Sequence, residues 1–342
     1  MVVGGFFRPE NYRRCRPLYL LAIVYVVYQF TLGIETISVS TITYLIAKVT
    51  TFVIITISIM DDWNFYARKV PFYLSIFIFF ILLFGINNLD TLNATDRQTL
   101  GFGNTNATSS LAGLCIATVI FFWNRKHAFF YLIVASFALY AMLAAGGRNA
   151  MLVLAIMLFV WTGLSMKRIK TAVFIFSIIW VVITLLPINL AGVERLEATL
   201  SGETGTNRDI ERLATRIMID EKPYTGWGFA AENVGEAAEL SELGSHNGYL
   251  DTIKFMGYPF GGLWILILVG SILPLIRYIK STDRVIRYHL AIVLSTLVSA
   301  FFEAWFVGVH QVYTNIFFCS LAILTSYRSI RDKGQYQELQ SQ

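Results

Sequence analysis

Three arginines recur at intervals of four residues in the most polar part of the chain: Arg208, Arg212 and Arg216. This spacing places them on one face of a helix. A planar guanidinium group donates paired hydrogen bonds to phosphate oxygens, so such a row fits a phosphorylated ligand. The alternative is a solvated helix face, on which the arginines pair with carboxylates such as Glu211. The stretch 194–247 holds eleven acidic and five basic residues, so individual arginines, rather than a general positive field, would have to bind the phosphate.

A histidine follows at the end of the same stretch, where residues 244–250 read Gly-Ser-His-Asn-Gly-Tyr-Leu. Asn247 can cap the helix that is predicted to begin there. His246 would then lie near the positive end of that helix, which favours a neutral imidazole that can act as a base or a hydrogen-bond partner. The alternative is a structural role, which is commoner for a lone histidine.

Two further loops carry candidate residues. Residues 144–150 read Ala-Ala-Gly-Gly-Arg-Asn-Ala, a tight turn in which Asn149 can cap the next helix. An anion bound there would meet both Arg148 and the positive end of that helix, although Arg148 could instead extend to lipid head groups. The loop 101–106 contains Asn104 and is a candidate contact for sugar, or simply a turn.

The composition indicates how these residues are positioned. Hydrophobic residues make up 56% of the 342 residues and charged residues only 14%, against about 25% charged in soluble domains. Three dispersed cysteines indicate neither a metal site nor a disulfide framework. We therefore predict an all-α, polytopic membrane protein with about ten transmembrane helices, each of roughly 20 apolar residues. The predicted spans are 17–34, 37–60, 70–88, 107–123, 128–146, 149–166, 171–192, 255–276, 286–305 and 308–327.

The positive charges indicate the orientation of these spans. With the N terminus in the cytoplasm, most Lys and Arg fall in cytoplasmic connectors, so the net charge of +5 does not indicate nucleic-acid binding. The C terminus returns to the same side. Arg148, the stretch 194–247 and the connector 303–310 then lie on the extracytoplasmic side, where basic residues are exceptions that need a reason.

The chain is expected to form a single integral membrane domain, residues 1–342, with 194–247 as an extracytoplasmic helical loop. A first helix, capped by Thr206 or Asn207, should run to about Glu221 and stop at Pro223 and the turn 226–228. A second helix is expected over 230–243, ending at Gly244. Lys48 lies inside the second predicted span, where a charge needs a partner or a cavity.

Four short motifs follow one another between about residues 100 and 270. They are Gly-Asn-Thr-Asn at 103–106, Gly-Gly-Arg-Asn-Ala at 146–150, Asn-Arg at 207–208 with Glu-Lys-Pro-Tyr-Thr-Gly-Trp-Gly at 221–228, and Ser-His-Asn-Gly-Tyr-Leu at 245–250 with Met-Gly at 256–257. In their order and spacing these motifs resemble the bacterial O-antigen polymerase and ligase family, the Wzy and WaaL proteins, which includes exopolysaccharide polymerases. Arg212 departs from the pattern, because relatives often carry an aromatic residue there.

The resemblance implies an inverting, metal-independent glycosyltransferase of the GT-C type that needs no cofactor. The donor would be an oligosaccharide on undecaprenyl diphosphate, and the enzyme would lie in the bacterial cytoplasmic (inner) membrane, among its lipids. Catalytic roles would fall on Arg148, Arg208 and His246. The expected substrate contacts are Arg212, Arg216, Asn149, Asn247, Tyr249 and Asn104.

Ten predicted spans are fewer than ligases usually have, which favours a polymerase. The alternative within the family is an O-antigen ligase, whose acceptor is lipid A-core. The alternative from another class is a transporter of polyprenyl-linked glycans with no covalent chemistry. Transporters often contain related halves with broken spans at mid-membrane, whereas the polar residues here cluster at the outer edge.

Overall fold

The computed structural model describes residues 9–85, 99–100, 102, 104–171, 173–174, 177, 208–230, 246–308 and 311–332. Every regular element in these ranges is helical, which confirms the predicted all-α class. Most of the predicted span 171–192 and of the loop pieces 194–207 and 231–245 lies outside the described residues, as does the predicted helix cap at Thr206 or Asn207.

The helices are numbered here in chain order. They are α1 Pro9–Arg14, α2 Arg16–Phe30, α3 Val39–Asp61, α4 Val70–Phe84, α5 Thr105–Phe121, α6 Ala128–Ala144, α7 Arg148–Thr162, α8 Arg208–Glu221, α9 Gly248–Ile272, α10 Arg284–Ser299 and α11 Val312–Asp332. A π-helical turn, Phe65–Lys69, leads directly into α4. Short 3₁₀ segments are Ile34–Thr36, Arg125–His127 and Leu273–Lys280.

Among the described residues, four helical stretches are long and apolar enough to cross a membrane: Val39–Asp61, Phe65–Phe84, Arg125–Ala144 and Gly248–Lys280. Large apolar side chains on them stay exposed, including Phe129 at 79%, as expected of surfaces that face lipid. The coarse prediction of a multi-pass membrane protein is therefore supported, while ten spans stay a prediction. Several predicted spans correspond to shorter helices: the 15 residues of α2 rise only about 22 Å, less than a hydrocarbon core of about 30 Å.

The chain divides into two compact units, each of which is described by itself. The first comprises Met1–Tyr66, Thr206–Ile276 and Thr296–Gln342, and contains α1 to α3, α8, α9 and α11. The second comprises Ala67–Gly205 and Arg277–Ser295, and contains α4 to α7. The expectation of a single membrane domain stays a prediction.

Helix α8 confirms the first helix that the sequence predicts in the polar stretch. It ends at Glu221, just before Pro223, which cannot continue the hydrogen-bond ladder. Its apolar face is buried in the first unit through Ala214, Met218 and Ile219. The exposed residues of α8 are mixed, because Ile210, Leu213 and Ile217 lie in the open beside Arg216 and Asp220. The buried side packs along α9.

Helix α9 is interrupted at Gly257, whose φ of 66° and ψ of 172° are essentially restricted to glycine. The break frees the carbonyl groups of Lys254 and Phe255 from the helix ladder. The loop that follows α8 satisfies both carbonyls, because the N–H groups of Trp227 and Gly228 donate to them over 3.0 Å each. The loop and the broken helix therefore pair almost as two short strands do.

Further hydrogen bonds strengthen this pairing. The N–H of Tyr258 donates to the Pro223 carbonyl at 2.7 Å. The buried Tyr28 hydroxyl contacts both sides, donating to the carbonyls of Phe255 at 2.6 Å and Thr225 at 2.9 Å. The result is a structural brace that fixes the end of α8 against the middle of α9.

Alanine at Gly257 is expected to break this brace, which comprises residues 223–228 and 254–258. A Cβ there would overlap the Tyr224 carbonyl oxygen and lie 2.6 Å from its carbon, and backbone cannot move aside cheaply. The conformation alone costs a non-glycine residue about 1–3 kcal/mol. We therefore expect Gly257→Ala to unfold at a clearly lower temperature than the wild type in detergent.

The matched control for this prediction is Gly262→Ala on the same helix. A Cβ at Gly262 would meet nothing within 4 Å, and alanine favours a helix interior over glycine by about 0.5–1 kcal/mol. The control should unfold at the wild-type temperature or slightly above it. Equal midpoints for the two variants would show that the brace does not need glycine.

Candidate active site

His246 lies between two carboxylates in the first unit. Its Nδ1 is 3.6 Å from Oε2 of Glu303, and its Nε2 is 3.9 Å from Oε2 of Glu211. The Glu303 side chain is 8% exposed, whereas the His246 side chain is 40% exposed. The ring therefore connects a buried carboxylate with open space. Both carboxylates stabilise the ring after it has accepted a proton, which opposes the preference for a neutral ring near a helix N terminus.

The start of α9 fixes the position of His246. The histidine has a φ of 44°, in the left-handed region that non-glycine residues rarely occupy. The next residue, Asn247, caps the helix as predicted, because its side-chain oxygen accepts the N–H groups of Tyr249 at 3.0 Å and Leu250 at 3.1 Å. This oxygen is turned toward its own helix, and a substrate contact for Asn247 stays a prediction.

Gly248 joins the start of α9 to the connector between α10 and α11. Its N–H donates to the carbonyls of Ala300 at 2.7 Å and Glu303 at 3.1 Å. A Cβ at Gly248 would lie 3.1 Å from the Phe306 ring and 3.3 Å from the Glu303 carbonyl, so the close approach favours glycine. This contact is what brings Glu303 to His246.

Tyr249 contributes to the same packing. Its ring lies against Phe301 and Phe306, with centroids 4.6 Å and 5.2 Å away. Its hydroxyl donates to the Leu297 carbonyl at 2.8 Å. These contacts give the residue a structural role, and its predicted contact with substrate remains untested.

Two side chains of helix α3 donate hydrogen bonds to the connector between α10 and α11. The Lys48 ammonium group, 2% exposed, donates to the carbonyls of Phe306 at 3.0 Å and Gly308 at 3.1 Å. The Tyr44 hydroxyl donates to the Val307 carbonyl between them at 2.8 Å. The partner that the sequence requires for Lys48 is therefore the backbone of the loop that carries Glu303.

The arginines of α8 differ from one another. Arg212 is half-buried, and its Nη2 donates to the Phe301 carbonyl at 3.0 Å, so it lies on the same connector as Glu303. Arg216 is exposed. Arg208 is the first residue of α8, and its side chain lies outside the described part of the structure.

Two polar atoms at this site are buried and lack a hydrogen-bond partner among the described residues. They are Oε2 of Glu211 and Nε of Arg212. The Glu211 oxygen lies 3.9 Å from Nε2 of His246, beyond hydrogen-bond distance, so its described interaction is an electrostatic one with the ring.

In the second unit, α5 and α7 pack side by side. Gly147 approaches Ser109 so closely that a Cβ would overlap its side chain, and a Cβ at Gly113 would lie 3.6 Å from the Ala150 carbonyl. From Ser109 to Gly113 on α5, the residue contacted on the other helix moves from Gly147 to Ala150, so both contacts progress toward the C termini. The helices are therefore parallel, with their N termini, the positive ends of their dipoles, at the same end.

The remaining predicted residues lie at this end of the second unit. Asn104 caps α5, accepting the N–H groups of Asn106 at 2.8 Å and Ala107 at 3.1 Å. Helix α7 begins at Arg148, whose side chain lies outside the described part of the structure, and its cap is Gly147. The predicted cap at Asn149 is therefore wrong, because the helix starts one residue earlier and Asn149 belongs to its first turn.

Sequence reasoning missed the two carboxylates that flank His246. The sequence pattern offers Glu211 as a partner for the arginines on its own helix, and it places Glu303 only in the connector 303–310. A signal for Glu303 exists, because a carboxylate inside the predicted span 286–305 needs a partner. Which partner it finds depends on tertiary contacts that no local pattern contains.

A scan against protein-family profiles, a search of curated proteins and a search of solved structures each return no match for this chain. The resemblance drawn from the four motifs therefore stays an expectation. Within the described ranges, no group of three or more His, Cys, Asp and Glu side chains is arranged to hold a metal ion. The metal independence implied by the resemblance also stays a prediction.

Proposed function

We propose that the protein is a polysaccharide polymerase of the bacterial cytoplasmic membrane, acting on O-antigen or exopolysaccharide. It transfers a glycan from undecaprenyl diphosphate to a hydroxyl group of an acceptor sugar. The observation that carries the proposal is His246, which lies between Glu303 and Glu211. An imidazole with a buried carboxylate at one nitrogen is well suited to remove a proton at the other. The resemblance of the motifs supplies the class of donor.

In the proposed reaction, the acceptor oxygen bonds to the anomeric carbon of the donor while the bond from that carbon to the diphosphate oxygen breaks. The electron pair of the broken bond leaves with undecaprenyl diphosphate. His246 takes the proton of the acceptor hydroxyl through Nε2, and Glu303 stabilises the resulting imidazolium from Nδ1. Attack opposite to the leaving group inverts the anomeric configuration.

The resemblance of the motifs assigns the donor diphosphate to Arg148 and Arg208, which would stabilise the charge that develops on the leaving group. Arg148 is the first residue of α7, where backbone N–H groups also favour an anion. Arg212 and Arg216 are assigned to the outer part of the substrate. Sugar contacts are expected at Asn104, Asn149, Asn247 and Tyr249.

The test is to incubate purified protein with lipid-linked repeat units and separate the products by size. A ladder of products that differ by one repeat is the expected result. A single addition to supplied lipid A-core would make the protein an O-antigen ligase instead. Intact substrate that merely crosses the bilayer of a proteoliposome would make it a transporter of polyprenyl-linked glycans.

The proposed topology places both termini in the cytoplasm and residues 194–247 outside. In a variant that lacks the native cysteines, cysteines at Ser201 and Ser241 should react with an impermeant thiol reagent in intact cells. Cysteines at Ser165 and Ser281 should react only after the cells have been permeabilised. The opposite pattern would place His246 in the cytoplasm and would contradict the proposed topology and site.

A further inference from the structure

A basic pocket of about 580 Å³ lies in the first unit, away from His246. Helix α9 starts beside His246 and reaches the pocket at Gly270, beyond the break at Gly257, and its length between these two points is about 30 Å at a helical rise of 1.5 Å per residue. This distance matches the thickness of a hydrocarbon core. The pocket and His246 are therefore expected at opposite faces of the membrane. Its lining residues come from α1, α2, α9 and α11: Arg13, Arg16, Pro17, Leu20, Leu266, Ile267, Gly270, Ser271, Thr325, Arg328 and Ser329.

The charged side chains that line the pocket are all positive. Arg13, Arg16 and Arg328 line it, and no acidic residue is among the described residues of the lining. The hydroxyl groups of Ser271 and Thr325 also belong to the lining, but each donates its proton to a carbonyl of its own helix. The donors to a bound anion are therefore the arginines. Guanidinium groups bind phosphate oxygens in a bidentate manner, so three of them around one cavity match a phosphate group.

The opposite wall of the pocket is apolar. Leu20, Leu266 and Ile267 form part of the lining, and Leu266 is 71% exposed on a helix that is apolar enough to span the membrane. Leu263, about one turn earlier on the same helix, is 44% exposed. A ligand that places an anion on the arginines can therefore run its hydrocarbon along α9.

We propose that this pocket binds the phosphate head group of an anionic glycerophospholipid. Positive pockets between transmembrane helices at the cytoplasmic surface are suited to such head groups. The volume also falls within the range of about 300–1,000 Å³ that is usual for specific small-molecule sites. A soluble phosphate would use the arginines but not the exposed leucines. The proposal does not depend on glycosyl transfer at His246.

Gly270 allows the pocket to be filled without disturbing its charges. A Cβ at Gly270 would meet nothing within 4 Å, and the same is true of a Cβ at Gly262, which is not part of the pocket. Delipidated protein in detergent would be titrated with phosphatidylglycerol and, separately, with phosphatidylcholine, and the bound lipid counted by native mass spectrometry. We expect the wild type to prefer phosphatidylglycerol. Gly270→Leu should weaken that binding at least tenfold, whereas Gly262→Leu should bind like the wild type.

A second pair of variants tests the charges. Arg16→Gln combined with Arg328→Gln removes two pocket arginines, whereas Lys126→Gln combined with Lys280→Gln removes two exposed cations outside the lining. A charged hydrogen bond contributes about 1.5–3 kcal/mol, so we expect roughly a tenfold or greater loss of affinity for each pocket arginine and none for the control.

Three results would overturn the proposal. One is equal binding by all the variants, and another is equal binding of the two lipids by the wild type. The third is displacement of phosphatidylglycerol by an equal concentration of inorganic phosphate, which would identify a soluble anion as the ligand.

Discussion

Replacing His246 with alanine is expected to lower turnover about 10²–10⁴-fold, the usual contribution of general-base catalysis. The diphosphate is a good leaving group, so the donor needs little help from an acid. The acceptor hydroxyl is a poor nucleophile until its proton is removed, and His246 is assigned to that step. Binding of the lipid-linked donor, which is assigned to the arginines, should change little in the same preparation.

The flanking carboxylates provide the matched comparison. Glu303→Gln keeps the shape of the side chain but removes the charge that faces Nδ1, so turnover should fall while donor binding is retained. The pH profile should also shift, because the ring loses the charge that stabilises its protonated form. Glu303→Asp should recover part of the rate. If donor affinity collapses together with turnover in His246→Ala, the histidine is a diphosphate ligand, and the base must be another group, such as Asp251 or Glu239.

Replacing Arg148 or Arg208 with lysine should abolish most activity while protein levels stay normal. Lysine keeps the positive charge but loses the planar fork that holds two phosphate oxygens at once. Removal of one charge-stabilising donor from an active site typically lowers the rate about 10²–10³-fold. Turnover of lipid-linked repeats by each purified variant is the measurement.

Arg125→Lys is the control for these variants, since Arg125 is exposed in a short connector that is predicted to face the cytoplasm. It should retain wild-type activity. Full activity of Arg148→Lys or Arg208→Lys would show that a point charge suffices. An active alanine variant at either position would remove that arginine from the site.

The local parts of this structure could be predicted from sequence. Helix α8 runs from Arg208 to Glu221, where the helix signals and Pro223 placed it. The cap at Asn247 follows from the residue type and its position before an apolar run. In both cases the information lies within a few neighbouring residues.

The long-range parts could not be predicted in this way. Residues 221–228 and 256–257 belong to the motifs that resemble a known family, and in the structure they form the brace between α8 and α9. Lys48 required a partner, but nothing local indicated the carbonyls of Phe306 and Gly308. The pairing of His246 with Glu303 depends on the same connector. Such contacts form only after helices from distant parts of the chain have packed.

The number of membrane spans does not follow from helix length and hydropathy alone. A membrane span needs about 20 residues, and α2, α5 and α7 are shorter although their sequences are apolar. Helix α10 carries Arg284, Arg287 and His289 near its start, which lowers its hydropathy. Short helices can still cross where the bilayer thins or where flanking arginines extend to the head groups.

The most direct test of the proposed glycosyl transfer is the stoichiometry of lipid release. Purified protein in liposomes would be supplied with a defined oligosaccharide on undecaprenyl diphosphate, and free undecaprenyl diphosphate would be measured against glycosidic bonds formed. We expect one molecule released for each new bond in the wild-type protein, and both release and bond formation should be about 10²–10⁴-fold slower in His246→Ala. Glycosidic bonds formed without release of undecaprenyl diphosphate, or equal release by His246→Ala, would contradict the proposed function.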